Sequence, residues 1–193
     1  MKKILVLIAI AIIAIGGFWV YNKYFAWQEF KNPLGFTLVI PHDWDAVSQN
    51  NQTESDFFSW IFISKADNKS LVGDKEFQSN PLLAVLDKNI SFISFSVVHN
   101  NLVSTDLSNY LKQPLSGAGQ NVTVDVVTLN QIERNGLKFF FYTKQLKVKD
   151  NPTRIGAIWT ENGNTYNLEA DTPNSLVSDK TIEDIALSFR KSK

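Results

Sequence analysis

An unbroken apolar run opens the chain and sets it apart from everything that follows. The run covers Ile4–Tyr21, contains no charge, and directly follows Lys2 and Lys3. Its 18 residues would extend about 27 Å as a helix, close to the hydrocarbon thickness of a bilayer. Backbone groups in lipid must pair within their own segment, so the pattern predicts a transmembrane helix. We therefore expect residues 1–21 to anchor the protein in a membrane.

The charges that flank this run predict its orientation. Lys2 and Lys3 precede it, and only Lys23 follows closely, which favours a cytoplasmic N-terminus and an extracytoplasmic C-terminal domain. The alternative is a cleaved signal peptide. Ala14-Ile15-Gly16 is a poor cleavage site, and the apolar run continues beyond it. Both alternatives give the same compartment, and the uncleaved anchor predicts a single-pass protein of the cell membrane.

After a tether at residues 22–31, the pattern of residues 32–193 predicts one domain of the α+β class. Alternating or continuous apolar residues indicate strands, and Asn-Gly pairs indicate hairpin turns. Strands are expected at Phe36–Pro41, Trp60–Ile63, Phe92–His99, Val122–Val126, Leu137–Leu146, Arg154–Thr160 and Thr165–Ala170. Asn135-Gly136 and Asn162-Gly163-Asn164 are expected to turn two hairpins.

Helices are expected at fewer positions. Ile182, Ile185, Ala186 and Phe189 form one apolar stripe with helical spacing, which predicts a C-terminal helix. Thr181 and Asp184 resemble its capping box, and Arg190, Lys191 and Lys193 would lie at its C-terminus, where the helix dipole favours cations. Ser104-Thr105-Asp106 resembles the start of another helix, which would contain Leu107, Tyr110 and Leu111. The polar stretch Ala66–Asn89 is interpreted as a long loop with one short helical turn.

Composition excludes several classes of function. The chain has 19 basic and 19 acidic residues, and no cluster of basic residues follows the apolar run, which argues against nucleic acid as a partner. It has no cysteine, so disulfides, thiolate catalysis and cysteine-based zinc sites are all excluded. Nothing in the sequence indicates a cofactor.

Residues with catalytic chemistry are few. His42 lies beside Asp43, where a turn with Trp44 in the core explains the pattern better than a catalytic base does. His99 ends a strand, and no serine lies in a nucleophile-elbow pattern. Asp67, Asp74 and Glu76 lack the regular spacing of a calcium loop. We therefore expect no catalytic or metal site, and a protein that is not an enzyme.

Two groups of aromatic residues are candidates for binding. Phe139-Phe140-Phe141-Tyr142 is explained by a sheet core, with the lining of a small apolar cleft as the alternative. Trp159 and Tyr166 fall on facing arms of a hairpin and are expected to form a cross-strand pair. If exposed, these two residues are interface candidates.

Two segments resemble a known family. Asn32–Trp44 resembles the opening of PsbP-like domains, with a Gly-Phe strand followed by a proline, a polar pair and a tryptophan. Ile182–Arg190 resembles the final helix of that family, which typically ends in a Ser-Phe pair. The resemblance implies a Mog1/PsbP-like sandwich whose central antiparallel sheet is covered by helices, here in a membrane-anchored bacterial type. Plant members support photosystem II and the related Mog1 fold binds a small GTPase, but none of their functional residues matches a position here.

Three functional hypotheses remain open. The first is a membrane-anchored accessory or binding module that assists another envelope protein. The second is a carrier that holds a lipid or small hydrophobic molecule between sheet and helix, against Phe139 or Phe141. The third is an envelope hydrolase centred on His42 or His99.

Overall fold

A computed structural model describes most of the chain beyond the apolar run. The described residues are 12–18, 21, 26–49, 57–99, 109–111, 115–117, 120–147, 153–171 and 177–191. Residues 12–18 are helical, and Ile12, Ile13, Ile15 and Phe18 are exposed. No helix within the described residues is long and apolar enough to cross a membrane. Most of the predicted anchor lies outside the described residues.

A large antiparallel sheet forms the centre of the domain. It contains seven strands, β3 Trp44–Gln49, β4 Phe57–Ser64, β5 Phe92–His99, β8 Val124–Arg134, β9 Leu137–Leu146, β10 Thr153–Glu161 and β11 Asn164–Asp171. Their order in the sheet is β3-β4-β5-β11-β10-β9-β8. The α+β class and the expected strands of this sheet are therefore confirmed, although the strand predicted at Val122–Val126 is divided between a short strand and β8.

Two Asn-Gly turns connect neighbouring strands at the same end of this sheet. Asn135 and Asn162 have φ values of 54° and 49°, and Gly136 and Gly163 follow at 77° and 78°. Two successive residues with positive φ match the twist of the flanking strands, and asparagine and glycine adopt this conformation most readily. Both predicted hairpins, β8–β9 and β10–β11, are confirmed.

One face of the sheet is covered by a second small sheet and by the C-terminal helix. The small sheet contains β1 Trp27–Asn32, β2 Phe36–Pro41 and β12 Arg190–Lys191, and the helix α4 spans Asp179–Leu187. The main core lies between these layers and is rich in aromatic rings, with Phe36 in contact with Trp60, Phe95, Tyr166 and Phe189. Because β1 pairs with β2 over its whole length, the second half of the predicted tether belongs to the folded domain.

Three short helices cover part of the opposite face. They are α1 Lys65–Leu71, α2 Lys75–Ser79 and α3 Pro81–Asp87, and they bury Leu71, Phe77 and Val85 against β4 and β5. The prediction of a long loop at Ala66–Asn89 was therefore wrong. Each helix begins at a polar cap, namely Ser64, Asp74 and Asn80, whose side chains accept backbone N–H groups.

Two details at the C-terminus also differ from expectation. Ser178, rather than Thr181, caps α4, because Ser178 Oγ accepts the Thr181 N–H at 3.2 Å. Arg190 and Lys191 pair with β2 as a strand instead of continuing the helix. The apolar stripe itself is confirmed, with Ile182, Ile185 and Ala186 buried.

The segment before β8 is described only in part. Residues 109–111 are helical and Leu111 is buried, whereas the start expected at residues 104–106 lies outside the described residues. The next described residues form the strand β6 Leu115–Gly117. This strand pairs with β7 Gln120–Val122 as a separate small ribbon.

Candidate functional site

The aromatic pair that was singled out from the sequence lies in the core. Trp159 and Tyr166 are directly paired across β10 and β11, and their rings stack 5.5 Å apart with a 9° angle between planes. Trp159 is 0% exposed and Tyr166 is 6% exposed. The cross-strand pair is confirmed, but the exposure that an interface role requires is missing.

The two histidines lie at opposite ends of the large sheet. The His42 carbonyl accepts a hydrogen bond from Lys65 Nζ at 2.6 Å, beside the C-terminal end of β4. His99 lies at the other end, where its Nδ1 is 2.9 Å from Asn164 Oδ1. The length of a strand thus separates them, and no group of three or more metal-ligating side chains occurs among the described residues.

A cleft lies on the core side of the sheet, between α4 and the edge of the sheet. Its volume is about 160 Å³, and β8, β9 and β10 form its floor. Apolar atoms come from Ile132, Phe141, Ile155 and Ile182, and polar ones from Thr128, Asn130, Thr143, Asp179 and Glu183. Phe141 was one of the residues expected to line a cleft, whereas Phe139 is buried in the core at 1% exposure.

The opposite face of the sheet contains a network of buried charges that sequence reasoning missed. Glu169 on β11 forms ion pairs with Lys144 on β9 and with Arg154 on β10, the latter at 2.9 Å. Tyr142 Oη lies 2.8 Å from Glu169 Oε2 and 2.8 Å from Asn167 Oδ1. The available signal was the presence of the charged residues Lys144 and Glu169 within segments predicted to be strands.

Gly156 makes the Tyr142 contact in this network possible. It lies on β10, directly between Tyr142 and Glu169 in the register of the sheet. A Cβ atom there would lie 2.4 Å from both Cζ and Oη of Tyr142, and 2.7 Å from the Leu168 carbonyl oxygen. The missing side chain therefore lets the Tyr142 ring cross β10 and reach the carboxylate on β11.

Burial and charge fix the protonation of the network. Burial by itself would raise the pKa of Glu169, but Lys144 and Arg154 outweigh it and hold that pKa below its ordinary value. Burial, together with the neighbouring Glu169 carboxylate, raises the pKa of Tyr142 well above its ordinary value. Glu169 is thus an ionised acceptor and Tyr142 a neutral donor at neutral pH.

A small crevice reaches this network from the helical side. Its volume is about 110 Å³, with Leu82, Leu86 and Phe92 along its walls, and Ser94, Arg154 and Glu169 also line it. Ser94 Oγ donates to the Glu169 carbonyl oxygen at 3.1 Å. The network thus involves the four strands β5, β9, β10 and β11, and it is adjacent to a small opening.

Comparison with known proteins identifies the fold. No family model matches the chain, and no curated protein matches it. The chain is similar to the solution structure of cyanobacterial PsbP (CyanoP) from Synechocystis sp. PCC 6803, with a TM-score of 0.55 and 11% identity over 86% of this chain and 93% of that one. A Bacteroides thetaiotaomicron protein gives a TM-score of only 0.43 at 11% identity, covering 87% of this chain and 49% of its own. The domain therefore has a PsbP-like fold, as its two terminal segments indicated.

Proposed function

We propose that this protein is a membrane-anchored, extracytoplasmic accessory module that binds another envelope protein and has no catalytic activity of its own. The observation that supports this proposal most directly is the PsbP-like fold, which extends over 86% of the chain. The apolar run Ile4–Tyr21 supports the location, because it has the length and flanking charges of an anchor. Among the described residues, the buried charges of Lys144 and Glu169 are paired with each other, and Glu169 also pairs with Arg154, which suits a rigid scaffold better than a reaction centre.

The location is tested by proteolysis of intact cells that express the full chain. The protein should fractionate with the membrane, and added protease should remove the C-terminal domain without breaking the cells. A matched variant in which Ile8 and Ile12 are both replaced by Asp should lose membrane association, because charged groups are costly in the bilayer centre. A domain that stays protected from protease in intact cells would contradict the topology.

The binding role is tested by crosslinking in cells, followed by mass spectrometry. The full-length protein should capture one recurrent membrane partner in near-stoichiometric amount. The matched control is an anchor-only chain of residues 1–26, which should not enrich that partner. Equal recovery with both chains would mean that the folded domain does not select a partner, and would count against the proposal.

A carrier of a small hydrophobic molecule is the second candidate, favoured by the cleft beside α4. Its volume of about 160 Å³ is similar to that of engineered apolar cavities of about 150 Å³ that accept benzene. A ligand would lie against Phe141 and Ile132, with its polar end toward Thr128 and Asn130. Native mass spectrometry of the gently extracted protein should then show a bound molecule of low mass.

The carrier role has a matched pair of variants. Ile132→Trp should fill the cleft and abolish the added mass, whereas Leu129→Trp should retain it, since Leu129 pairs with Tyr142 on the opposite face of the same strand. Recovery of only the unliganded wild-type protein would contradict a carrier role. The third hypothesis, a hydrolase, requires that any activity found be lost when both His42 and His99 are replaced by Ala.

A further inference from the structure

The strand β8 leaves one edge of the large sheet open. It is an eleven-residue strand at the end of the seven-strand order, so in the described part of the chain its outer backbone groups have no neighbouring strand. The opposite edge, β3, has six residues and is in contact with α1 and α3. The two edges of the sheet are therefore protected to very different degrees.

The composition of β8 gives it little protection against strand pairing. The seven consecutive residues Val126–Ile132 are uncharged and contain neither proline nor glycine. Val127 is 62% exposed and Leu129 is 41% exposed. Long, uncharged and exposed edges readily pair with another strand, and proteins usually block them with charges, prolines or short length. The outer edge of β8 is therefore open to pairing with a further strand.

The pairing of β8 with β9 determines which side chains share a face. Thr128, Asn130 and Ile132 pair with Thr143, Phe141 and Phe139, so they lie on the core side. Leu129 and Gln131 lie on the opposite side. The register shifts between Val126 and Thr128, which leaves Val127 as a bulge and returns Asp125 to the core side, opposite Gln145.

We propose that β8 pairs with β8 of a second copy of this chain, antiparallel and centred on Asn130. Paired residues in antiparallel strands must share a face, which this register satisfies by placing Thr128 opposite Ile132 and Leu129 opposite Gln131. Beyond the bulge, the same register places Asp125 of each copy opposite Arg134 of the other. The two ends of the joint strand are thus complementary in charge, twice by symmetry.

The alternative registers lack this match. Centring the pairing on Leu129 or Gln131 keeps the faces consistent but does not place Asp125 opposite Arg134. Asp125 also contacts Lys147 of its own chain at 2.8 Å, and both side chains are exposed, so Asp125 can bind either cation. The resulting dimer would contain one continuous fourteen-stranded sheet, formed from two copies of the seven-stranded order.

The absence of cysteine makes this geometry directly testable. Asn130→Cys is introduced into the full chain, and isolated membranes are treated with a mild oxidant. Self-paired residues on adjacent antiparallel strands have Cα atoms about 4.5–5.5 Å apart, within disulfide range. The matched control is Glu133→Cys. In this register its two copies lie three residues on either side of Asn130, which separates them by about 20 Å at 3.3 Å per residue. We expect a disulfide-linked dimer from Asn130→Cys and little from Glu133→Cys.

Charge reversal tests the register independently. Asp125→Arg or Arg134→Asp alone should weaken the dimer of the detergent-extracted full chain about tenfold, because each replaces two attractive contacts by repulsive ones. The double variant Asp125→Arg/Arg134→Asp should restore dimerisation, measured by light scattering over a range of concentrations. A monomer at all concentrations, or equal crosslinking at positions 130 and 133, would overturn the proposal.

Discussion

A single glycine determines whether the Tyr142 hydroxyl can reach the buried Glu169 carboxylate. Tyr142, on β9, reaches Glu169, on β11, only by passing over the strand between them. The absence of a side chain at Gly156 provides the space. A glycine in the middle of a buried strand normally weakens that strand. At Gly156 this cost is accompanied by a hydrogen bond between Tyr142 on β9 and Glu169 on β11.

Replacing this glycine should therefore be costly. Gly156→Ala would insert a methyl group 2.4 Å from the Tyr142 ring and 2.7 Å from the Leu168 carbonyl oxygen. We expect this overpacking to lower the free energy of unfolding by about 1–3 kcal/mol. Urea denaturation measures the change. Gly73→Ala is the control, because a Cβ atom there has no neighbour within 4 Å. Equal stability of the two variants would show that the cross-strand packing is unimportant.

Glu169 should link stability to acid. Because its pKa in the folded protein lies below the ordinary value, the stability that it contributes is present above the unfolded-state pKa and is lost as the pH falls through the folded-state pKa. Glu169→Gln leaves Lys144 and Arg154 without their carboxylate partner, and we expect a loss at neutral pH of about 3–5 kcal/mol.

The same variant should also change the shape of the pH profile. Wild-type stability should fall more steeply below about pH 4 than that of Glu169→Gln, in denaturation curves measured from pH 7 to pH 3. Glu133→Gln, on the exposed edge strand, is the control. Tyr142→Phe is a milder second variant that keeps the ion pairs and removes one hydrogen-bond donor, in case Glu169→Gln does not fold. Parallel profiles for wild type and Glu169→Gln would contradict the assignment.

Among the elements, the end of α4 shows why the Ser-Phe pair matters structurally. Ser188 Oγ accepts the Val39 N–H of β2 at 2.7 Å and lies 2.5 Å from the Ile185 carbonyl oxygen. Phe189 stacks on Phe36 in the core. The pair thus joins the last helix to the second strand, which are far apart in the sequence but adjacent in the fold.

Removing the hydroxyl should loosen this junction. Ser188→Ala leaves the half-buried Val39 N–H without its acceptor, and we expect a loss of unfolding free energy of about 1–3 kcal/mol. Thermal unfolding and hydrogen exchange at Val39 measure it. Ser70→Ala, in the exposed part of α1, is the control because its Oγ donates to the local Asp67 carbonyl oxygen. Unchanged exchange at Val39 would contradict the role of Ser188.

At the scale of the whole molecule, β1 decides where the folded domain begins. Phe30 lies on β1, and its ring contacts Phe36, Trp60 and Phe62 with centroids 5.3–6.5 Å apart. A chain that begins at Ala26 should therefore fold, whereas one that begins at Pro33 should lose much of its cooperativity. Circular dichroism melts of the two truncated chains test this. Similar melting temperatures would show that β1 is dispensable and that residues 22–31 act only as a tether.

Local patterns in the sequence determined the elements whose signals are short-range. Alternation identified strands such as Phe92–His99, Asn-Gly pairs identified both hairpins, and helical spacing identified α4. The helices at Ala66–Asn89 were missed because their signal lay in three caps rather than in a long apolar stripe, and helices of five to seven residues are stabilised mainly by packing.

Long-range pairing was decided only by the tertiary structure. The sequence did not indicate that β5 lies beside β11, that Gly156 separates Tyr142 from Glu169, or that Trp159 and Tyr166 are both covered. Burial of a charge or an aromatic ring depends on which distant strands and helices pack over it, and spacing along the chain carries no information about that. The sequence by itself thus determined the fold class and the local turns, and the anchor at residues 1–21 stays a prediction. The cleft, the ion network and the open edge of β8 depend on how the strands assemble.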